Sequence, residues 1–253
     1  KIMKILEYGN PSNDKIILIH GFESPYQVWQ DYIDFYKKDY CLIVPILTGH
    51  NVDDKEDFIS FERCVKELES YYITKYGNKV YAIYGMSMGG IVASYIWQNQ
   101  NIEITKLILE SSPLLPFGKV LINILTKQYL SITHKVKIRD EKTINQAINT
   151  IITIDKLDLF LQLIDHISNT TIINYIKEVG KFKLRNDIDT PNTKIYYLYG
   201  STINEILFKK VAKYLKKHYL NTNTILLKNK GHCEDALINP QNHIITINKI
   251  LKD

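Results

Sequence analysis

A chain of 253 residues can bury one sizeable core with a modest insertion and demands no second independent domain. Hydrophobic residues at 45% and charged residues at 23% exclude wholesale disorder. A net charge of +5, carried by scattered lysines, lacks the dense basic stripe that a nucleic-acid backbone selects, so no nucleic-acid partner is expected. No apolar run is long enough to cross a bilayer, which predicts no integral membrane segment. Near the start Lys4 and Glu7 interrupt the apolar residues, so no signal-peptide core forms. Cys41, Cys64 and Cys233 are odd in number and widely spaced, which suits a reducing compartment and points to the cytoplasm unless a leader has already been removed.

The first buried strand is predicted over 15–20, a continuous apolar, β-branched run ending at Gly21. Continuous rather than alternating hydrophobicity is what a parallel strand covered on both faces requires. A helix is expected over 25–38, a strand over 40–44 stopped by Pro45, and a helix over 57–76, where Phe58, Phe61, Val65, Leu68 and Tyr72 recur at spacings of three and four. A strand over 79–84 runs into the turn 85–90, followed by a helix over 91–100 and a strand over 104–109. This alternation implies an α/β fold with a mostly parallel sheet, right-handed crossovers and helices on both faces. Between 113 and 191 the rhythm changes to helices alone, over 119–129, 141–152, 157–167 and 171–180. A strand over 194–199, a helix over 204–219, a strand over 224–228 and a helix over 239–251 complete the chain. The expected organisation is a core of 1–112 and 192–253 with a helical cap of 113–191.

Gly85-Met86-Ser87-Met88-Gly89 fits the G-x-S-x-G pattern, and Gly90 follows. The five residues alone are a weak signal. Their position between an apolar strand and an apolar helix opening is the context a nucleophile elbow demands. A serine in that sharp turn projects its hydroxyl above the sheet edge, and the helix N-terminus beneath it offers free N–H groups to a developing oxyanion. A phosphate-binding turn is the bland reading, but neither GxxxxGK[ST] nor GxGxxG occurs, and no cofactor is expected.

A serine hydroxyl needs a base. His232, in the loop between the last strand and the last helix, is the best placed of the seven histidines. His20 directly precedes the Gly21-Phe22 turn and is expected to shape it, and His50 lies in another loop after a strand. His243 falls in the terminal helix and reads as a surface or packing residue. Cys233 is a poor rival nucleophile, because a sequence neighbour of the base is badly oriented toward it. The acidic stretch Asp53, Asp54, Glu56 and Asp57 has no recognised metal-ligand spacing, and no metal is expected.

His20-Gly21-Phe22, the elbow and the late Gly231-His232 together resemble the α/β-hydrolase superfamily over nearly the whole chain. The resemblance implies a mostly parallel sheet with a helical cap inserted between the strands that the family counts as sixth and seventh. It implies Ser87 as nucleophile, His232 as general base, and the backbone N–H groups of Phe22 and Met88 as oxyanion donors. Relatives often carry Gly-His-Gly where this chain has Gly49-His50-Asn51. They also place an Asp shortly after the glycine ending the seventh strand. Here that stretch is Gly200-Ser201-Thr202-Ile203-Asn204-Glu205, without Asp. Glu205 can supply the carboxylate if the loop runs longer, Asn204 could merely orient the imidazole, and Glu110, at the end of the preceding strand, is the alternative acid.

The residues following the strand ends (Phe22, Tyr26, Met86, Met88, Leu114, Leu115 and Phe117) are expected to line an apolar pocket, with Leu121, Ile124, Leu159, Phe160 and Leu163 contributed by the cap. Such a cleft suits a small-molecule carboxylic ester with a short-to-medium acyl chain, cleaved through an acyl-enzyme. The alternatives are thioesterase or acyltransferase chemistry on the same pair, and a non-catalytic binding protein that keeps only the pocket. The sequence also leaves room for a homodimer.

Overall fold

The computed structural model describes residues 3–189 and 192–253. Its elements run β1 (Lys4–Tyr8), β2 (Lys15–Ile19), α1 (Gln30–Tyr36), β3 (Cys41–Ile46), α2 (Phe61–Tyr76), β4 (Lys79–Met86), α3 (Met88–Asn99) and β5 (Glu103–Glu110). Four helices follow: α4 (Lys119–Lys137), α5 (Glu141–Ala147), α6 (Leu157–His166) and α7 (Asn169–Lys181). The chain closes with β6 (Lys194–Gly200), α8 (Ile206–His218), β7 (Thr222–Leu227), α9 (Glu234–Ile238) and α10 (Pro240–Lys252).

The described residues form a seven-stranded sheet of order β1-β3-β2-β4-β5-β6-β7. All neighbouring pairs are parallel except β1 with β3. In the central strands, Ile16 to Ile19, Ala82 to Tyr84 and Leu107 to Leu109 are buried on both faces, as their continuous apolar runs require. β1 escaped the sequence reading because it is a half-exposed antiparallel edge strand whose Lys4 and Glu7 break any continuous run. With β1 included, the helical insertion lies between the fifth and sixth strands of this chain. Pro191, the expected end of that insertion, lies outside the described residues, as do Lys1, Ile2 and Thr190.

Several boundaries shift for local reasons. The helix expected over 57–76 begins at Phe61, where the Ser60 hydroxyl caps it by accepting the Arg63 N–H. α4 continues to Lys137, past the expected end at 129, and its last turns still bury one side, Thr133 and Val136. α5 stops at Ala147, short of the expected 152. α3 is buried nearly all round, which places it between sheet and surrounding helices with its N-terminus at the carboxyl edge of the central strands. No helix among the described residues is long and apolar enough to cross a membrane.

Candidate active site

β4 delivers the chain to Ser87, the residue that caps α3, at φ 49° and ψ −112°. An L-residue in that region stores strain on the order of 1–3 kcal/mol, which the surrounding packing must hold. The turn is possible only with glycine at two places: a Cβ on Gly85 would be driven into the Gly89 backbone, and one on Gly89 into the Ile19 carbonyl. The Ser87 N–H donates to the Glu110 carbonyl at 2.8 Å, which pins the elbow to the end of β5.

His232 approaches from the loop between β7 and α9. Its Nε2 lies 2.9 Å from Ser87 Oγ and its Nδ1 3.3 Å from Glu205 Oε1. These contacts fit one tautomer, in which Nδ1–H donates to the carboxylate and Nε2 accepts the serine proton. Glu205 sits in a single turn leading into α8, and its Oε2 accepts from Ser111 Oγ at 2.6 Å and from the Gly200 N–H at 2.9 Å. Burial pushes the Glu205 carboxyl up, but donors from His232, Ser111 and Gly200 outweigh it and hold the group below its ordinary range. Ser111 was not anticipated as a donor, and only its position just after β5 could have hinted at it.

Glu110 does not reach the imidazole of His232. Its fully buried carboxylate accepts from the Tyr84 hydroxyl and lies 3.0 Å from His243 Nε2, an electrostatic contact without hydrogen-bond alignment. His243 is therefore an interior residue, with no exposed surface at all.

The Phe22 and Met88 N–H groups find no acceptor among the described residues, whereas the neighbouring Glu23 N–H is taken by His50 Nε2 at 3.1 Å. Two buried histidines hold this loop. His20 Nδ1–H donates to the Gly21 carbonyl at 2.8 Å while its Nε2 accepts the Leu47 N–H at 3.1 Å. Loss of solvent pushes the His20 imidazole down to about 4 and that of His50 well below its ordinary value, so both are neutral acceptors at physiological pH.

A cavity of about 130 Å³ opens over Ser87 and His232, with Phe22 and Met86 on the core side and Tyr129, Ile152 and Phe160 on the helical side. Other expected pocket residues point elsewhere. Leu114 is fully buried and its carbonyl accepts from Leu184 N–H, while the Phe117 N–H donates to the Gly180 carbonyl, so 113–117 is tied to the end of α7. Leu115 and Phe117 pack on the core instead of lining the cavity. Tyr26, Leu159 and Leu163 line a neighbouring cavity with His50 and Asn51. Leu121 and Ile124 are exposed. Tyr129 and Tyr175 were missed: Tyr129 lines the cavity, and the Tyr175 ring stacks on Phe22.

The acidic stretch is consumed by local contacts. Asp57 accepts from Ser168 and Thr171 at the start of α7, Glu56 pairs with Arg63, and Asp53 pairs with Lys4.

No protein-family model matches the chain, and no curated protein matches it by sequence. Solved structures do. An α/β-hydrolase family protein of Desulfitobacterium hafniense is similar at TM-score 0.76 and 22% identity, covering 98% of this chain and 100% of that one. An esterase of Exiguobacterium antarcticum is similar at TM-score 0.76 and 14% identity over 99% and 96% of the two chains. An enol-lactonase of Burkholderia xenovorans LB400 is similar at TM-score 0.72 and 12% identity over 99% and 96%.

Proposed function

From the premise that this chain has the α/β-hydrolase fold, we propose that it is a serine hydrolase that cleaves carboxylic esters, with Ser87, His232 and Glu205 as its triad. The observation that carries the reading is the 2.9 Å contact between Ser87 Oγ and His232 Nε2 at a strained elbow.

Ser87 Oγ attacks the ester carbonyl as its proton passes to His232 Nε2, and the carbonyl oxygen becomes an oxyanion facing the Phe22 and Met88 N–H groups. Preorganised donors of this kind each contribute about 3 kcal/mol to the transition state. Glu205 stabilises the imidazolium through Nδ1–H. The imidazolium returns the proton to the departing alcohol oxygen as the C–O bond breaks, leaving an acyl group on Ser87. Water then attacks that carbonyl, giving its proton to His232. Collapse releases the carboxylic acid and restores the serine hydroxyl. The insertion of 113–191 serves as the cap that closes the cavity. At about 130 Å³ the cavity favours the short end of the acyl range.

The test is turnover of p-nitrophenyl esters from acetate to octanoate. Hydrolysis that peaks at short chains and falls on the order of 10³-fold or more in Ser87→Ala supports the reading. Equal rates in wild type and Ser87→Ala would sink it.

A further inference from the structure

Glu23 is a carboxylate that the ester-cleavage machinery does not use. It follows Phe22 at φ 55°, a left-handed conformation that a non-glycine side chain adopts only under constraint. Its N–H is committed to His50, so it is not an oxyanion donor. Its side chain lies where two cavities meet: the one over Ser87, and a second of about 270 Å³ among α4, α5 and α6. Ile151 and Phe160 share this boundary.

The local hydrogen bonds leave one oxygen of Glu23 unclaimed. Thr133 Oγ1 lies 2.6 Å from Glu23 Oε1 and 2.8 Å from the Tyr129 carbonyl. No donor among the described residues reaches Glu23 Oε2, and that atom is not sealed from the cavities. Burial pushes the carboxyl up to about 7, against the opposing pull of Thr133 and Lys137. When protonated, it can give its proton to Thr133 while the Thr133 proton goes to Tyr129. Oε2 is then a bare acceptor in either protonation state.

The second cavity has the same character. Thr143 and Thr150 stand on its wall, and their protons are spent on Asp140 Oδ1 at 2.6 Å and the Gln146 carbonyl at 2.5 Å. Their remaining lone pairs make the wall rich in acceptors. Lys135 on the wall, and Lys137 within electrostatic reach of Glu23, oppose a cationic ligand. Tyr129 and Tyr175 are the other titratable groups that sense Glu23, and both phenols are pushed up by burial and so are uncharged.

We propose that Glu23 Oε2 is a specificity determinant that accepts a hydrogen bond from a neutral hydroxyl on the substrate, so that the favoured esters carry a hydroxylated arm reaching from Ser87 into the cavity between α4, α5 and α6. This rests on the ester-hydrolase reading above and deepens it. An acceptor on a cavity wall that a substrate hydroxyl satisfies is left unpaired by the analogue that displaces water there without replacing the bond, which makes the discrimination large for one atom.

The test compares kcat/KM for matched esters by pH-stat: ethyl 3-hydroxybutyrate against ethyl butyrate for an acyl-side hydroxyl, and glycerol monobutyrate against propyl butyrate for an alcohol-side one. The expected result is a preference of about tenfold or more for the hydroxylated member of at least one pair. That ratio should fall to near one in Glu23→Leu and be partly kept in Glu23→Gln, which retains a carbonyl acceptor. Ethyl 3-aminobutyrate distinguishes a cation site, and a preference for it over the hydroxy ester overturns the proposal. So does a ratio near one for both pairs in the wild type, a measurement that needs no variant to fold. Ser87-dependent hydrolysis of the plain butyrates separates the two claims: with it and no preference, only the role of Glu23 fails. Without it, the hydrolase reading fails first.

Discussion

The Tyr175 ring lies against that of Phe22 with centroids 3.8 Å apart and an interplanar angle of 20°, so a helix of the insertion holds the loop that follows His20 and lines the cavity over Ser87. Phe22 also meets His50 edge-on at 5.4 Å and Tyr129 at 5.7 Å. Helix and loop are therefore one packed unit. Tyr175→Ala should lower stability by on the order of 3 kcal/mol, the usual loss for truncating a buried aromatic. Tyr175→Phe, which keeps the stack, should lose about 1 kcal/mol or less. Thermal unfolding of the two variants checks this, and equal melting temperatures would contradict it.

The two candidate acids separate cleanly in space. Glu205 faces His232 Nδ1, whereas Glu110 faces Tyr84 and His243. Glu205→Gln should reduce kcat by on the order of 10³- to 10⁴-fold, through the wrong imidazole tautomer and an unstabilised imidazolium. Glu110→Gln should act mainly on the melting temperature. A steady-state comparison in which Glu110→Gln is the more damaged in kcat, at temperatures where both are folded, reverses the assignment.

Backbone crowding at the elbow gives a contrast between two glycines. Gly89 has no room for a Cβ because the Ile19 carbonyl occupies the space, while Gly118 has nothing within 4 Å and an ordinary φ of −69°. Gly89→Ala should cost several kcal/mol, because backbone must move to admit it. Gly118→Ala should change stability by no more than about 1 kcal/mol, since the N-cap position tolerates either residue poorly or well by small amounts. Urea midpoints for the pair measure the difference.

Two buried groups beside the elbow impose opposite pH dependences on stability. The His20 imidazole is pushed down to about 4 from an ordinary 6.5, so the unfolded chain takes up its proton first as pH falls. The stability held by this group is full above pH 6.5 and is lost on acidification toward pH 4. Glu23 is pushed up to about 7 from 4.5, so the folded chain keeps a proton that the unfolded chain releases, and stability is lost as pH rises from 4.5 to 7. In their shared window the two largely cancel. Glu23→Gln removes one of them, so its unfolding free energy should climb between pH 4.5 and 6.5 by on the order of 2 kcal/mol more than that of the wild type. Parallel curves in urea unfolding would contradict this.

What the sequence made legible follows from how locally each feature is determined. β2, β4 and β5 announce themselves because a strand buried on both faces carries a run of mostly apolar side chains, with buried Lys106 and Glu110 of β5 as paired exceptions. β1 does not, since an edge strand may mix Lys4 and Glu7 with Ile5 and Leu6 and still pair. The elbow is readable because its serine and both its glycines fall within five residues, although the Ile19 carbonyl that Gly89 must clear belongs to β2. Side-chain direction is another matter. Glu110 and Glu205 both sit near strand ends, and only the three-dimensional course of the chain turns one toward Tyr84 and the other toward His232. The cavity lining is harder still. Nearness to Ser87 along the sheet edge suggested 113–117, which the cavity does not use; of the cap residues expected there Phe160 does line it, while Tyr129 of α4 and Ile152, in the connection between α5 and α6, reach it through docking that no local pattern encodes.

The most direct measurement is intact-mass and peptide mapping of the folded protein after incubation with a fluorophosphonate. One phosphonyl group on Ser87, absent from Ser87→Ala and strongly slowed in His232→Ala, is the expected result. An unlabelled Ser87 in folded, concentrated protein would contradict the assignment of that hydroxyl as a nucleophile.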